Sequence, residues 1–293
     1  MPAWQGKSKT TTLGYRIFVA VLRHGGLFPA YLLLRFVAFY YFLFSYASSR
    51  PVYRLYRHRL GFGRGASLAK LYRNYYHFGQ SLIDKVALMA DLSRQFTFDF
   101  DGEENLRRLV SMQRGGLLLS AHIGNWEIAG YLLKRLGAKI HIVVFDGEER
   151  RIKKYLDSVA ENKNVRLIVL KKDLSHVFEI SEALKNKELV CMHADRFLEG
   201  NKTISSPFLG LPARFPVGPF ALASKFKVPF SFVFAMKETN LHYHFYAGPV
   251  KEFQGKPTNE NLREMVEEFA AGMEEKVKQY PEQWYNYYHF WQE

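Results

Sequence analysis

Gly115-Gly-Leu-Leu-Leu-Ser-Ala-His122-Ile-Gly-Asn-Trp-Glu127 is the stretch of sequence that decides the fold. Two glycines lead into an apolar segment typical of a buried strand, and apolar residues recur at helical spacing after Glu127. The pattern therefore predicts a strand, a short loop carrying His122, and a helix. In α/β folds, ligands bind where the carboxyl ends of strands meet such loops. A histidine there can act as a general base, and a nearby carboxylate can fix its tautomer.

The spacing from His122 to Glu127 needs a test, because a histidine followed five residues later by a carboxylate also occurs by chance. His141 and Asp146 have the same spacing, but they lie along an apolar, β-branched run that predicts an extended strand. At about 3.3 Å per residue, a strand holds those two side chains roughly 16 Å apart, so this pair is excluded. His122 and Glu127 straddle a Gly-Asn pair that can turn the chain back. We expect them to meet if Glu127 lies in the first helical turn; a structural histidine is the alternative.

The composition favours an anionic partner. The chain of 293 residues has 41 Lys and Arg against 28 Asp and Glu, which gives a formal net charge of +13. Such a balance suits nucleic acid, an acidic membrane face, a phosphorylated substrate or an acidic carrier protein. The single cysteine, Cys191, excludes an internal disulfide framework. It lies in an apolar run, which favours a buried side chain over a nucleophile.

The N-terminal region predicts an attachment to a membrane. From Leu27 to Ser49 the chain is apolar and aromatic with one charge, Arg35. That length can cross a bilayer, although a charge near the middle is costly there. A spanning anchor, a half-inserted helix and a buried core helix are all open alternatives. Arginines interleaved with aromatic residues follow, and they indicate contact with anionic headgroups on the cytoplasmic side rather than with nucleic acid: Arg50, Arg54, Arg57, Arg59 and Arg64.

Strands alternate with helices from Gly115 onwards. A helix over 68–89 and a strand over 96–100 come first, and strands are then expected at 117–121, 139–145, 165–170 and 187–194. Helices are expected near 126–136, 149–161 and 174–186. A Gly/Pro-rich connection over 197–214 leads to a helix near 217–226, a hairpin of 228–236 and 241–247, and a closing helix over 262–277. This alternation predicts an α/β fold with a mixed, mostly parallel sheet flanked by helices.

Four motifs follow one another along the chain. The first is Ser120-Ala-His-Ile-Gly-Asn-Trp-Glu127, and the second is Ala194-Asp-Arg196 at the end of a strand. The third combines Pro207-Phe-Leu-Gly-Leu-Pro-Ala213 with Gly218-Pro219, and the fourth is Pro281-Glu-Gln-Trp284. In this order, and with the apolar N-terminal segment, they make the chain resemble the lipid A late acyltransferase (lauroyl/myristoyl transferase) family of the lysophospholipid acyltransferase superfamily. The match covers most of the chain.

The resemblance implies a glycerolipid-acyltransferase-like fold, with residues 1–50 as a polar tail and membrane-anchor helix and residues 51–293 as the catalytic domain. It implies transfer of a fatty acyl chain from acyl carrier protein, or from acyl-CoA, to a hydroxyl of a lipid A precursor. His122 would take the proton of the acceptor hydroxyl, and Glu127 would orient the imidazole. The reaction needs no cofactor, metal or nucleic acid, and the zinc signature His-Glu-x-x-His is missing from the sequence. The partners implied are acyl carrier protein and an anionic lipid at the cytoplasmic face of the bacterial inner membrane.

The resemblance also implies substrate-binding residues: Asn125, Asp195, Arg196, Phe208, Gly210, Arg214 and Gly218. Arg196 and Arg214 could grip a phosphate of the lipid or of the carrier's pantetheine arm, or could be structural or solvated arginines. Asn125 could present an amide to the oxyanion or cap the helix. Asp195 could be structural.

Two departures from the family pattern bear on the acceptor. After Trp284 the tail carries aromatic residues where the family has basic ones, and the segment after Arg196 lacks the usual acidic-glycine step. A lyso-phospholipid, an amino-acid lipid or an aryl-polyene pigment is therefore an alternative acceptor. A lipid-directed serine hydrolase is disfavoured because the sequence has no Gly-x-Ser-x-Gly elbow. A non-catalytic, basic membrane-binding protein is the alternative from another class.

Overall fold

The computed structural model of the protein describes residues 12–89, 92–125, 128, 136–145, 165–170, 173, 175–253 and 258–291. The strands in these residues are β1 (Thr97–Asp101), β2 (Gly116–Ser120), β3 (Ile140–Phe145), β4 (Val165–Leu170), β5 (Leu189–His193), β6 (Thr203–Phe208), β7 (Leu211–Pro216), β8 (Phe230–Lys237) and β9 (His242–Ala247). The helices are α1 (Thr12–Gly25), α2 (Leu27–Phe44), α3 (Tyr46–Arg54), α4 (Arg64–Met89), α5 (Glu103–Ser111), α6 (Ser175–Lys185), α7 (Gly218–Phe226) and α8 (Asn259–Gln279). The helices predicted near 126–136 and 149–161 fall almost entirely outside the described residues.

A seven-stranded sheet in the order β1-β9-β8-β2-β5-β3-β4 forms the centre of the protein. Its neighbouring strands pair in parallel except β8 and β9, which form the predicted antiparallel hairpin. The predicted mixed, mostly parallel sheet flanked by helices is confirmed. β2 is buried along its length and apolar up to Leu119, because both of its faces are covered. Leu117 and Leu119 face one core and Leu118 faces the other, where Leu109 of α5 packs.

The register between β2 and β5 positions the site. Ser120, the last residue of β2, lies opposite His193, the last residue of β5. The pairing continues for one more residue, because the amide of Ala194 donates to the carbonyl of Ser120 at 2.8 Å. The loops that leave these two strands therefore start side by side at the carboxyl edge of the sheet, where ligand sites of such folds form.

The Gly/Pro-rich connection predicted over 197–214 contains a hairpin that the sequence did not reveal. β6 and β7 pair antiparallel, and Leu209 and Gly210 form the two-residue turn between them. Both turn residues have positive φ, 50° and 81°, as a type I′ turn requires. The usual sequence signal of such a turn is Asn-Gly, and here the first turn residue is a leucine, which rarely adopts positive φ. The sequence therefore contained no indication of the turn.

The apolar N-terminal segment is broken into consecutive helices and packs on the sheet domain. α2 ends at Phe44, and α3 starts after Ser45, so the run from Leu27 to Ser49 is not one helix. One face of α2 lies against α4, where Gly79 leaves room for the side chain of Leu34. The opposite face is exposed and apolar: Phe28, Leu32, Phe36, Phe39, Tyr40, Leu43 and Phe44.

Within the described residues, α2 is the one helix whose length and composition would allow it to cross a membrane, and 28% of that window is buried in the protein. A helix buried all round, one of the three alternatives, is thereby excluded for α2. The domain boundary at residue 50 stays a prediction.

Candidate active site

His122 and Asp195 meet at the carboxyl edge of the sheet. Each follows its strand, β2 or β5, by two residues, and the register of those strands sets them side by side. Asp195 Oδ1 lies 2.8 Å from His122 Nδ1, and Asp195 Oδ2 accepts from the backbone N–H of His122 at 3.1 Å. A carboxylate only accepts hydrogen bonds, so Nδ1 carries the proton and Nε2 is the basic nitrogen.

The side chains of His122 and Asp195 differ in their exposure to solvent. The Asp195 side chain is 1% exposed, whereas the His122 side chain is 19% exposed and therefore within reach of a substrate. Burial alone would raise the pKa of Asp195. The charge of His122, its hydrogen bond and the charge of Arg196 outweigh that effect and hold the pKa of Asp195 well below its usual range. Asp195 is therefore ionised at neutral pH and keeps His122 in one tautomer.

Glu127, the predicted partner of His122, lies outside the described residues, as does Trp126. The His122–Glu127 pair therefore stays a prediction. Asp195 was expected among the substrate-binding residues; the structure places its carboxylate on the His122 ring, and its contact with substrate stays a prediction. A signal for this contact was present in the sequence: each residue comes directly after a predicted strand, 117–121 or 187–194, of one parallel sheet.

His193 is a site residue that the sequence analysis missed. Its ring stacks on the ring of His122, with centroids 4.1 Å apart and planes inclined by 27°. Both of its ring nitrogens are shielded from solvent. Burial, followed by the charge of His122, holds the pKa of His193 well below its usual range, so the ring is neutral at physiological pH.

His122, His193 and Asp195 also form a donor set that zinc could use, since their ligand atoms all lie within 4.8 Å of one another. The ring orientation argues against it. Metal-binding lone pairs lie in the imidazole plane, and the two nearly parallel rings direct them side by side rather than toward one point.

The turn after His122 depends on Gly124. Its φ is +67°, and a Cβ atom there would lie 2.0 Å from the carbonyl oxygen of Ala235. The next residue, Asn125, donates its amide N–H to the same carbonyl at 2.7 Å. Its side chain donates to the Ser81 carbonyl at 3.3 Å and to the Tyr243 hydroxyl at 3.2 Å. The Asn125 side chain therefore ties the loop to α4 and β9, and its predicted contact with substrate stays a prediction.

Asn125 also connects the loop to a buried ion pair. Asp84 of α4 and Lys237 at the end of β8 lie 2.5 Å apart. Asp84 accepts hydrogen bonds from the hydroxyls of Tyr31 and Tyr243, and Lys237 also donates to the carbonyl of Asn240 at 2.6 Å. Burial raises the pKa of Asp84 and lowers that of Lys237, and the attraction between the two charges opposes both shifts. Through these contacts the ion pair links α2, α4, β8 and β9, and Tyr243 connects it to the loop that carries His122.

The C-terminal tail lines the other side of the loop. The amide of Tyr285 donates to the carbonyl of His122 at 3.2 Å, and Trp284 forms a bridge with Ile123. Trp284, Tyr285 and Phe290 are buried, so these rings pack in the core.

Two of the predicted binding residues join this region. Arg196 donates to the carbonyl of Tyr285 at 2.8 Å, and its guanidinium lies over the ring of Tyr288. Its Nε lies 3.9 Å from Asp195. Phe208 is buried against Trp284, with ring centroids 5.4 Å apart.

The other predicted binding residues lie farther along the chain. Arg214 is exposed on β7, where it donates to the hydroxyl of Thr203 at 3.2 Å. Gly210 forms the turn of the same hairpin, and Gly218 starts α7. Substrate binding by these residues stays a prediction. Cys191 is no candidate nucleophile, because burial raises the pKa of its thiol to about 12.

The sequence model described as bacterial lipid A biosynthesis acyltransferase matches residues 69–292. The chain belongs to this family. The resemblance inferred from the motifs is confirmed. Residues 69–292 include all of the candidate site residues.

Individual relatives match smaller parts. The phosphatidylinositol mannoside acyltransferase of Mycobacterium tuberculosis is 31% identical over 134 residues in one strain and 30% identical in another. The matched stretch is 45% of this chain and 42% of each relative, so it spans less than half the length of these proteins. Among solved structures, the 1-acyl-sn-glycerophosphate acyltransferase of Thermotoga maritima has a TM-score of 0.43 at 19% identity, covering 84% of this chain and 95% of that one.

Proposed function

We propose that the protein transfers a fatty acyl chain from an acyl carrier protein thioester to a hydroxyl of a lipid A precursor, with His122 as the general base. One observation carries the proposal. His122 lies at the carboxyl end of a buried strand, and the buried carboxylate of Asp195 holds its Nδ1 at 2.8 Å. That contact leaves Nε2 as a basic nitrogen on a partly exposed ring.

The reaction then follows from the two residues. Nε2 takes the proton of the acceptor hydroxyl as the hydroxyl oxygen attacks the thioester carbonyl, and the tetrahedral adduct expels the donor thiolate. The imidazolium returns the proton to that thiolate, which yields the ester and the free thiol. Asp195 remains ionised and stabilises the imidazolium, as the carboxylate does in catalytic triads.

The charge of the chain supports both substrates. A formal net charge of +13 favours an acidic carrier protein and an anionic lipid. Acyl-CoA, which is also anionic, is the alternative donor. Arg196 lies beside Asp195, where its guanidinium could meet a phosphate.

The N-terminal helices support attachment to one face of the membrane. α2 has a buried face against α4 and an exposed face of large apolar side chains. A helix packed on a protein domain along one side can enter the headgroup region with its other side. The arginines that begin at Arg50 would contact anionic headgroups. We propose that the protein is attached to the cytoplasmic face of the inner membrane, with α2 lying in the headgroup region.

A second acceptor class has specific support. The relatives that align over 134 residues are phosphatidylinositol mannoside acyltransferases, whose name describes a glycosylated phospholipid acceptor. A glycosylated phospholipid and a lipid A precursor share sugar hydroxyls and phosphate. The second candidate function is therefore acyl transfer to a sugar hydroxyl of such a lipid.

The test is acyl transfer by the purified full chain in mixed micelles. The donors are acyl carrier protein and CoA, each charged with a defined acyl chain. The acceptors are a tetra-acylated lipid A precursor, a phosphatidylinositol mannoside and a lyso-phospholipid, and mass spectrometry identifies the products. A new ester on the lipid A precursor supports the proposal, and an ester on another acceptor alone overturns the assignment of that substrate.

The general base is tested in the same assay. We expect His122→Ala to lower kcat by roughly 10²–10⁴-fold, the usual contribution of a positioned base. His176→Ala is the matched control, because His176 lies on α6, which packs against β4 and β5 and carries none of the site residues. Full turnover in His122→Ala would exclude His122 as the base.

A further inference from the structure

His193 has a contact that the proposed reaction does not use. It is the last residue of β5, and its ring stacks on that of His122, with centroids 4.1 Å apart and planes inclined by 27°. Its nitrogens are shielded from solvent. The other side chains of β5, from Leu189 to Met192, are apolar.

We propose that His193 is a positioning residue, whose ring fixes the plane of the His122 ring by stacking and so keeps Nε2 turned to the acceptor. This inference rests on the proposed function of His122 as the base. His193 itself touches neither substrate nor the reacting atoms in this scheme.

The geometry shows why a second contact is needed. The ring of His122 can rotate about its Cβ–Cγ bond, and that rotation carries Nδ1 away from Asp195, so the hydrogen bond at 2.8 Å opposes it on that side. Stacking on the ring of His193 restricts the same rotation. Bond-forming steps depend steeply on such alignment, and a misplacement of about 1 Å can cost roughly 10²-fold in rate.

The charges around the stack favour this arrangement. The ionisable groups that face His193 are His122, Asp195 and Arg196. Because burial keeps His193 neutral, it does not repel the imidazolium that forms on His122 during the reaction. A neutral aromatic face also attracts a cation that stacks on it.

Two variants of His193 separate stacking from other effects. His193→Phe keeps a flat ring and His193→Leu does not, while both remove the ring nitrogens. We expect His193→Leu to lower kcat roughly 10–100-fold with KM within about twofold, because orientation is lost but binding is kept. We expect His193→Phe to keep kcat within about threefold of the wild type.

A spectroscopic measurement reports the tautomer of His122 without requiring turnover. Long-range ¹H–¹⁵N correlation spectra of histidine-labelled protein distinguish the two tautomers, and His122→Ala assigns the signal. We expect one tautomer with the proton on Nδ1 in the wild type and in His193→Phe, and a mixture in His193→Leu. If no acceptor is acylated by the wild type, the proposed function fails, yet this spectrum still tests the positioning role.

Two results would overturn the inference. One is a His193→Leu variant with wild-type kcat and a single His122 tautomer. The other is a His193→Phe variant as slow as His193→Leu, because the ring nitrogens and not the stacking would then matter. Thermal unfolding checks that each variant is folded, and His193→Met repeats the comparison if His193→Leu does not fold.

Discussion

The buried ion pair between Asp84 and Lys237 offers the sharpest test of how the site is supported. The perturbation is Lys237→Met, which keeps an unbranched side chain of similar length and removes the charge. The Asp84 side chain is 0% exposed and the Lys237 side chain 4% exposed. The ammonium has the carboxylate at 2.5 Å, a carbonyl at 2.6 Å and a hydroxyl at 3.4 Å, so its three donors are satisfied.

The magnitude follows from what the substitution leaves behind. Without Lys237, the carboxylate of Asp84 keeps its two tyrosine hydroxyls but stays buried with no cation. Breaking a buried pair in this way costs about 3–5 kcal/mol. In a chain of this size, about 1 kcal/mol corresponds to a shift of roughly 2–4 °C, so the midpoint should fall by roughly 6–20 °C.

A second substitution isolates the pair. Asp84→Asn combined with Lys237→Met removes both charges, and the amide oxygen can still accept from a tyrosine hydroxyl. We expect this double variant to be more stable than Lys237→Met alone by at least about 1 kcal/mol, since no uncompensated charge is buried. Lys251→Met is the control, because Lys251 pairs with the exposed Glu268 and such pairs contribute about 0–1 kcal/mol.

The assay is unfolding in detergent followed by fluorescence of the four tryptophans. Acyl transfer is measured in parallel, because Tyr243 connects Asp84 to Asn125 in the loop that carries His122. A cost below about 1 kcal/mol for Lys237→Met would refute the reasoning that an obligatory charge pair is buried here. A double variant no more stable than the single one would refute the coupling.

Three further predictions concern the loop, the base and the membrane face. Gly124→Ala should destabilise the protein by well over about 1 kcal/mol and abolish transfer, whereas Gly137→Ala should cost less. Both glycines have positive φ, but only the first would meet a backbone carbonyl, and thermal unfolding compares them. Asp195→Asn should leave the fold intact and lower kcat by roughly 10²–10⁴-fold, because an amide can hold the wrong tautomer; wild-type kcat would remove Asp195 from the mechanism. Phe36→Ser should weaken binding to vesicles containing phosphatidylglycerol about tenfold without lowering the unfolding midpoint, whereas Phe178→Ser on α6, equally exposed to solvent, should not.

The sheet could be predicted because its signals are local. β2 is buried at every position and apolar up to Leu119, and the alternation of strands and helices indicates parallel pairing. The β6–β7 hairpin was missed because Leu209 takes a backbone conformation that its residue type rarely adopts. The neighbouring helix α8 compensates there, since Glu274 accepts the Leu209 amide at 2.5 Å. That support comes from a residue 65 positions away, which no local pattern records.

The site was only partly predictable because the periodicity of a sequence identifies strands but does not show which strands are neighbours in the sheet. His122 stood out through its loop, its motif and its distance from a helix start. Its contacts with Asp195 and His193 exist only because β2 and β5 are neighbours in the sheet, although three predicted helices and two strands were expected between them in the chain. Asp195 was found as a residue but not as the partner of His122. His193 resembled any polar residue that ends an apolar strand.

The same limit explains the open alternatives for the N-terminal segment. Hydropathy records that α2 avoids water but not whether lipid or protein replaces the water. In the folded chain the two faces of α2 differ: Tyr31 reaches the buried Asp84, while Phe28 and Phe36 point outward. Because α2 is hydrogen-bonded to α4 along one side, lipid cannot surround it. This arrangement favours a helix half inserted in the membrane over a spanning anchor.

One turn of α4 explains how such an attachment would serve the reaction. Gly79 of that turn receives Leu34 of α2, whereas the carbonyl of Ser81 accepts from Asn125 in the His122 loop. Phe78 packs on Tyr285, whose amide donates to the carbonyl of His122. A single helix, α4, about 10 Å across, thus lies between α2 and the loop that carries His122, and the exposed apolar face of α2 lies on the side away from α4. An attachment through α2 would therefore hold the His122 loop at a fixed distance from the headgroup region, because α4 contacts both α2 and that loop.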